Sequence, residues 1–252
     1  MKNRSILFAF FLSGMATLIH EVAWVRPIGF VYDSTIFVVS AITASLMGGL
    51  ALGSLLAGRF FNRLKRPMFV YAMMELGIGI YGILLIELVK FLPAVNEHLL
   101  MVTSLLQYNT MIFGSVFLLL LIPTTLMGAT FPTVVQAYLS EKIGRGIGEL
   151  YSANNIGAII GSLLAGFILI PTLGIKGSIL LAAVFNLSAA LLVLNAFHRR
   201  ELRLFAPIAG LLFFVLAFIS HYDVTTLFSQ GPFGLYKQEY LGEQKVVFYR
   251  EG

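Results

Sequence analysis

The sequence contains no cysteine, which excludes disulfides, thiolate catalysis and cysteine-ligated metals. Its four histidines are scattered and show no metal-ligand spacing, so no metal site is expected. Charge is scarce: 12% of the 252 residues are Asp, Glu, Lys or Arg, against about 25% in an average soluble domain. What fills the chain instead is apolar, 58% of all residues, the composition of an integral membrane protein. The net charge of +5 does not point to nucleic acid. Lys and Arg stand in short clusters between apolar runs, as the positive-inside rule describes. No Ser-His-Asp arrangement and no phosphate loop can be assembled. The chain itself offers no catalytic residue and no cofactor site.

A bilayer-spanning helix needs about 20 largely apolar residues, and seven such runs can be marked. They cover about 5–27, 34–58, 68–92, 111–138, 150–169, 177–197 and 204–220. The basic start and apolar first run also fit a secretory signal, but six further runs follow and no small-x-small cleavage site is evident. Residues 93–110 are too polar to span. Val95, Leu99, Val102, Leu105 and Leu106 fall near helical spacing there, which predicts an amphipathic interfacial helix. Pro27 is expected to close the first run, Pro171 with Gly174 the fifth, and Pro123 and Pro132 to kink the fourth.

Basic residues cluster at the N-terminus and after runs two, four and six: Lys2, Arg4, Arg59, Arg63, Lys65, Arg66, Lys142, Arg145, Arg199, Arg200 and Arg203. The alternate loops hold Arg26, Lys90 and Lys176. The expectation is a multi-pass protein of the plasma (inner) membrane with a cytoplasmic N-terminus. Seven spans then place the tail from His221 outside. The division expected is a transmembrane helical domain over 1–220 and a soluble tail over 221–252.

The hexapeptide Gly-Ser-Leu-Leu-Ala-Gly occurs twice, at Gly53–Gly58 and Gly161–Gly166. Around it run ridges of small residues: Ala41, Ser45, Gly49, Gly53 and Ala57 in run two, Ala153, Gly157, Gly161 and Ala165 in run five. Such ridges let helix backbones approach closely, because packing drives association in lipid. Runs one to three and four to six therefore read as two copies of one unit. An odd number of spans inverts the second copy, and inverted repeats place a binding site near the midplane at their interface.

Polar residues inside these runs are the candidate site. Ser13, Thr17, His20, Glu21 and Trp24 fall in one sector of the first run. A carboxylate mid-membrane costs roughly 2.5–3.5 kcal/mol on insertion scales. Glu21 is therefore either a protonatable or cation-binding group, with His20 beside it, or a lock paired with Arg26 or another helix near the outer interface. Glu75 in run three is read as a structural partner of Arg63 or Arg66. Asn154 and Asn155 in run five are either interhelical bonds or cavity lining. The expected cavity is bounded by runs one, two, four and five, with Thr124, Thr125 and Thr130 opposite Glu21. Asn186 in run six is read as helix glue.

Two family resemblances rest on specific motifs. Gly58-Arg-Phe-Phe-Asn-Arg-Leu-Lys-Arg66 resembles the cytoplasmic loop motif of the major facilitator superfamily, with Asn62 where that motif usually has Asp. Glu21-Val-Ala-Trp-Val-Arg26, Met47-Gly-Gly-Leu-Ala-Leu-Gly-Ser54, Tyr71-Ala-Met-Met-Glu-Leu-Gly77, Leu126-Met-Gly-Ala-Thr-Phe-Pro132 and Tyr151-Ser-Ala-Asn-Asn-Ile-Gly157 resemble, in order, the membrane-embedded spermidine synthase-like proteins. Ser229–Tyr236 and Val246–Gly252 resemble the linker and first strand leading into that family's aminopropyltransferase-like domain. The resemblance implies an all-α membrane fold: about seven helices, a 3+3 inverted repeat like half of a major facilitator fold, and one extra helix. It implies a domain that binds or moves a small metabolite, polyamine-like cations included, while the synthase-like domain is appended or separate. A half-size transporter acting as a homodimer and a purely structural anchor are the alternatives. The partners expected are the lipid bilayer and the synthase-like domain. Aminopropyl transfer draws on a cytoplasmic cosubstrate, which conflicts with an external tail.

Overall fold

The computed structural model describes residues 2–32, 36–60, 65–100, 104–138, 143–197 and 199–219. Helices account for almost all of them: α1 Lys2–Tyr32, α2 Ile36–Phe60, α3 Pro67–Leu88, a 3₁₀ turn Val89–Phe91, α4 Leu92–Leu100, α5 Leu105–Tyr138, α6 Ile143–Leu164, a π turn Ala165–Leu169, α7 Ile170–Phe197 and α8 Arg199–Ile219. Five stretches are long and apolar enough to cross a bilayer, which is compatible with membrane insertion. The last of these, Gly146–Phe197, contains both the fifth and the sixth apolar run. Its backbone leaves the helical region at Gly174 (φ 70°, ψ 178°), a conformation that glycine adopts without a Cβ penalty. The break therefore falls at Gly174, and the helix runs on through Pro171. The seventh run lies in α8, whose apolar stretch among the described residues is Ala206–Leu216. Residues 221–252, with the two tail motifs, lie outside the described residues.

Each helix meets particular neighbours. α6 and α7 both pack along α1; α7 packs on α3, α3 on α5, and α5 on α2. The six long helices thus follow one another in space as α6, α1, α7, α3, α5, α2, and α1 touches α2 and α5 only lightly. The largest core cluster takes Trp24, Ile28 and Tyr32 from α1, Ile42 and Leu46 from α2, Ile78 and Leu85 from α3, Val116 and Leu120 from α5, and Ile179 from α7. Large apolar residues such as Phe37, Met47 and Leu55 on α2 and Leu163 on α6 face outward.

The small-residue ridges sit at the tightest crossings. Gly49 and Gly53 are buried against α5, where a Cβ would overlap Thr124 and the Thr125 carbonyl respectively. Gly157 and Gly161 meet the backbone of α1 at Phe11 and Met15 in the same way. Ser45 is buried and returns its hydroxyl to the Ala41 carbonyl at 2.6 Å.

Pro27 does not end α1, which continues to Tyr32 with Pro27 inside it. Ile28, Val31 and Tyr32 are buried, and the end of the helix finds partners. Asn96 on α4 donates to the Val31 carbonyl at 3.1 Å, and the Tyr32 hydroxyl meets Ser115 Oγ at 3.0 Å. Within residues 93–110, Asn96 is buried and faces the protein, while the apolar Val95, Leu105 and Leu106 are exposed.

Pro123 and Pro132 lie within a continuous α5 of 34 residues. A proline leaves the carbonyl four residues earlier without its helical donor, here those of Leu119 and Gly128. The Tyr81 hydroxyl donates to Leu119 O at 2.8 Å, and the Ser54 hydroxyl to Gly128 O at 2.9 Å. Neighbouring helices thus supply the two missing donors, which is how proline is accommodated away from water.

Candidate functional site

On α1, Ser13, His20 and Trp24 recur at spacings of seven and four, so they share one face. That face meets α3 and α7 and builds a buried polar cluster. Ser13, His20, Glu75 and Asn186 are all at most 2% exposed. Ser13 Oγ donates to Glu75 Oε1 at 2.6 Å, and Asn186 Nδ2 donates to Glu75 Oε2 at 2.8 Å. Asn186 Oδ1 lies 3.1 Å from His20 Nε2. Close helix crossings make this possible. Gly79 of α3 sits against Asn186 and Ala183 of α7, and a Cβ on Gly82 would overlap the His20 imidazole. Tyr71, also fully buried, donates to the Ala9 carbonyl at 3.3 Å one turn below Glu75.

Each Glu75 oxygen accepts from a neutral donor, and no ion pair to Glu75 forms among the described residues. Arg66 does not reach it. Its guanidinium pairs with Glu201 of α8 at 2.8 Å, with 63% of the Arg66 side chain exposed. The other expected partner, Arg63, lies outside the described residues. A carboxylate held by a hydroxyl and an amide can accept a proton or a cation, because neither donor neutralises it.

His20 also stacks on Trp24, with ring centroids 5.1 Å apart and 22° between planes. His20 Nδ1 and Trp24 Nε1 are both buried without a hydrogen-bond partner. A bare acceptor and a bare donor are thus left on two touching rings.

Glu21, which the sequence placed at the centre, is only half-buried, and Arg26 is half-buried as well. No Glu21–Arg26 ion pair occurs among the described residues. The polar face of α1 turns toward α3 and α7 rather than toward the fourth run. α1 and α5 meet at two levels, Phe10 with Phe131 (5.9 Å between rings) and Tyr32 with Ser115. Glu21 and Thr125 lie between those levels on their helices and make no bond to each other. Thr125 Oγ1 is buried and unpartnered, whereas Thr124 and Thr130 return their hydroxyls to the Leu120 and Met127 carbonyls of their own helix. Asn154 donates to the Phe10 carbonyl at 3.2 Å, an α6–α1 tie beside Gly14, and Asn155 is half-buried on the same helix. Among the described residues no three potential metal ligands gather.

Sequence reasoning set Asn186 aside as helix glue and sent Glu75 to a loop arginine. The available signal was the row Ser13, His20, Trp24, which needs polar partners, and an amide and a carboxylate isolated in two other apolar runs.

No family model matches the chain, and no solved structure does. Two curated proteins are distantly similar. Polyamine aminopropyltransferase 1 of Streptomyces coelicolor is 23% identical over 211 residues, 82% of this chain and 36% of that protein. Polyamine aminopropyltransferase 2 of Aquifex aeolicus is 23% identical over 255 aligned residues, 99% of this chain and 48% of that protein. The chain therefore spans less than half the length of these relatives.

Proposed function

We propose that this chain is the membrane-embedded domain of a polyamine aminopropyltransferase-like protein and that it binds, or passes through the membrane, a small organic cation of polyamine type. The observation that carries the proposal is Glu75, a fully buried carboxylate held by Ser13 and Asn186 with no cationic partner among the described residues. An ammonium group supplies the charge that the cluster lacks, replacing the Ser13 hydroxyl at Glu75 Oε1. The distant similarity to two polyamine aminopropyltransferases supports a polyamine over other cations. Residues 1–220 form the helical domain on this reading. Residues 221–252 lead to a synthase-like domain, appended or separate. The distribution of basic residues favours an inner-membrane protein with a cytoplasmic N-terminus, and a reporter fused at Gly252 tests the side of the tail.

A 3+3 inverted repeat of the kind found in half of a major facilitator fold is part of the proposal. Its support is a pair of matched crossings. A Cβ on Gly14 of α1 would overlap the Asn154 carbonyl of α6, and one on Gly128 of α5 would overlap the Leu50 carbonyl of α2. Likewise Gly157 meets Phe11 O and Met15 N, while Gly53 meets Thr125 O and Ala129 N. Pairing α1 with α5 and α2 with α6 carries every member of one set onto the other. This match aligns Gly53 with Gly157, one helical turn away from the alignment that the hexapeptides give. The same symmetry favours the second reading, a half-size carrier that completes its pathway as a homodimer.

The test is equilibrium binding of radiolabelled spermidine to the purified chain in detergent micelles. Saturable binding is expected in the wild type and is lost in Glu75→Gln with helicity and elution volume retained. Absence of saturable binding to the wild type rejects the reading and leaves a structural anchor.

A further inference from the structure

We propose that His20 and Trp24 form a proton-binding site served by a bound water, charge-linked to Glu75 through Asn186. This goes beyond cation binding at Glu75 and does not depend on it.

The hydrogen-bond chain fixes which atom takes the proton. Asn186 commits its Nδ2 donor to the Glu75 carboxylate, so the atom it turns to His20 is the acceptor Oδ1, 3.1 Å from Nε2. His20 Nε2 therefore carries hydrogen, and the free lone pair of the ring is on Nδ1. Nδ1 is buried and has no partner; nor has Trp24 Nε1. Leaving such groups unpaired is costly. Water relieves both at once, accepting from the indole N–H and donating to Nδ1, because it needs two or more polar partners to stay buried. The same water delivers the proton. H₃O⁺ gives one H⁺ to Nδ1 and remains as neutral H₂O, and the ring becomes an imidazolium with both nitrogens donating.

Two features receive that charge. The Trp24 ring faces the imidazole at 5.1 Å, within the distance at which an indole face attracts a cation. Glu75 stands one amide away through Asn186. Other titratable groups are remote or engaged. Tyr71 on α3 interacts with Glu75 and Ser13 of the same cluster and bonds the Ala9 carbonyl, while Tyr81 bonds the Leu119 carbonyl. On α7 the one charged residue is Lys176, nearly three turns before Asn186. On α6, Glu149 bonds Tyr138, and Arg145 and Tyr151 share its end of the helix. α5 has no charged residue, α2 has only Arg59 at its terminus, and α4 has Glu97 and His98. Glu21 follows His20 directly but lies about 100° further round α1.

Trp24 is the only tryptophan in the chain, so intrinsic fluorescence reads this site alone. The purified full chain in detergent micelles is titrated from neutral to acid pH without added ligand. The expected result is reversible quenching with one midpoint, as an imidazolium forms against the indole. His20→Gln abolishes the transition. Glu75→Gln moves the midpoint, since it removes the titratable carboxyl to which Asn186 links the ring. Spectra of isotope-labelled histidine in the wild type are expected to show one ring titrating at the fluorescence midpoint, which secures the test if His20→Gln does not fold. Fluorescence that is flat with pH, a transition that survives in His20→Gln, or a midpoint unmoved by Glu75→Gln overturns the proposal. Spermidine binding can fail while this titration succeeds, or the reverse, so the two readings are tested separately.

Discussion

Tyr81 of α3 donates its hydroxyl to the Leu119 carbonyl of α5, the carbonyl that Pro123 leaves without a helical donor. Ser54 of α2 does the same for Gly128, four residues before Pro132. The two prolines therefore do more than interrupt a ladder. Each frees an acceptor that a neighbouring helix can find, which ties α5 to α3 at one level and to α2 at another.

Tyr81→Phe and Ser54→Ala are each expected to lower stability by about 0.6–2 kcal/mol, the range for interhelical hydrogen bonds in membranes. The losses should add in the double variant, because the two bonds share no residue and lie about two turns apart on α5. Denaturant unfolding in micelles measures both. Pro123→Ala restores the helical donor and should make Tyr81→Phe milder.

The repeated hexapeptide gives a sharper test, because its two glycines have different surroundings in both copies. Gly53 and Gly161 are pressed against α5 and α1, while a Cβ on Gly58 or Gly166 would meet nothing within 4 Å. Gly53→Leu and Gly161→Leu are expected to prevent folding, since overpacking costs typically about 1–3 kcal/mol even where neighbours can shift and here the neighbours are backbone. Gly58→Leu and Gly166→Leu should express and elute like the wild type. Size-exclusion profiles in detergent separate the two pairs.

The helical architecture was legible in the sequence because apolar run length and the absence of charge are strong local signals. So were the ridges containing Gly49, Gly53, Gly157 and Gly161. What was not legible depended on rotation about helix axes. Adjacent residues in a helix differ by about 100°, so the sequence could not say whether His20 or its neighbour Glu21 enters the core. The charge of Glu21 drew attention, while His20 makes the buried contact. Partner choice was equally hidden. Arg66 and Glu75 have opposite charge and are close in sequence, but they lie over two turns apart on and before α3, and Glu201 from a distant helix takes the arginine. Pro27 shows a third limit: a proline reads as a terminus, yet Asn96 and Tyr32 satisfy the chain beyond it.

Glu21 and Glu75 are expected to behave differently on neutralisation. Glu21→Gln removes a half-buried carboxylate that has no ion pair among the described residues, so folding should be unchanged within about 0.5 kcal/mol, as for positions away from special features. Glu75→Gln keeps an oxygen for Asn186 but puts an amide nitrogen against Ser13 Oγ, so the Ser13 hydroxyl must turn from donor to acceptor and its hydrogen loses the carboxylate. A loss of about 1–3 kcal/mol follows from that displaced hydroxyl hydrogen and the weaker neutral bonds. Parallel unfolding curves in micelles distinguish the two. Equal losses would place Glu21 in the structural core after all.

Asn186 is the residue on which the cluster turns, since it gives to Glu75 and takes from His20. Asn186→Leu strands one Glu75 oxygen and the His20 Nε2 hydrogen at once. Two buried groups then lose their partners, each at about 1–3 kcal/mol, so the single variant is expected to fold poorly. Removing the stranded carboxylate as well should help rather than harm. Asn186→Leu with Glu75→Leu replaces a broken polar pair by an apolar contact between α7 and α3, the exchange that is often neutral or stabilising for buried charges. The double variant should therefore unfold at higher denaturant than Asn186→Leu alone, with a coupling of about 0.5–3 kcal/mol between the two positions. It should also bind no spermidine. Stability recovered without binding would show that the cluster is kept for its charge and not for the packing of α1, α3 and α7.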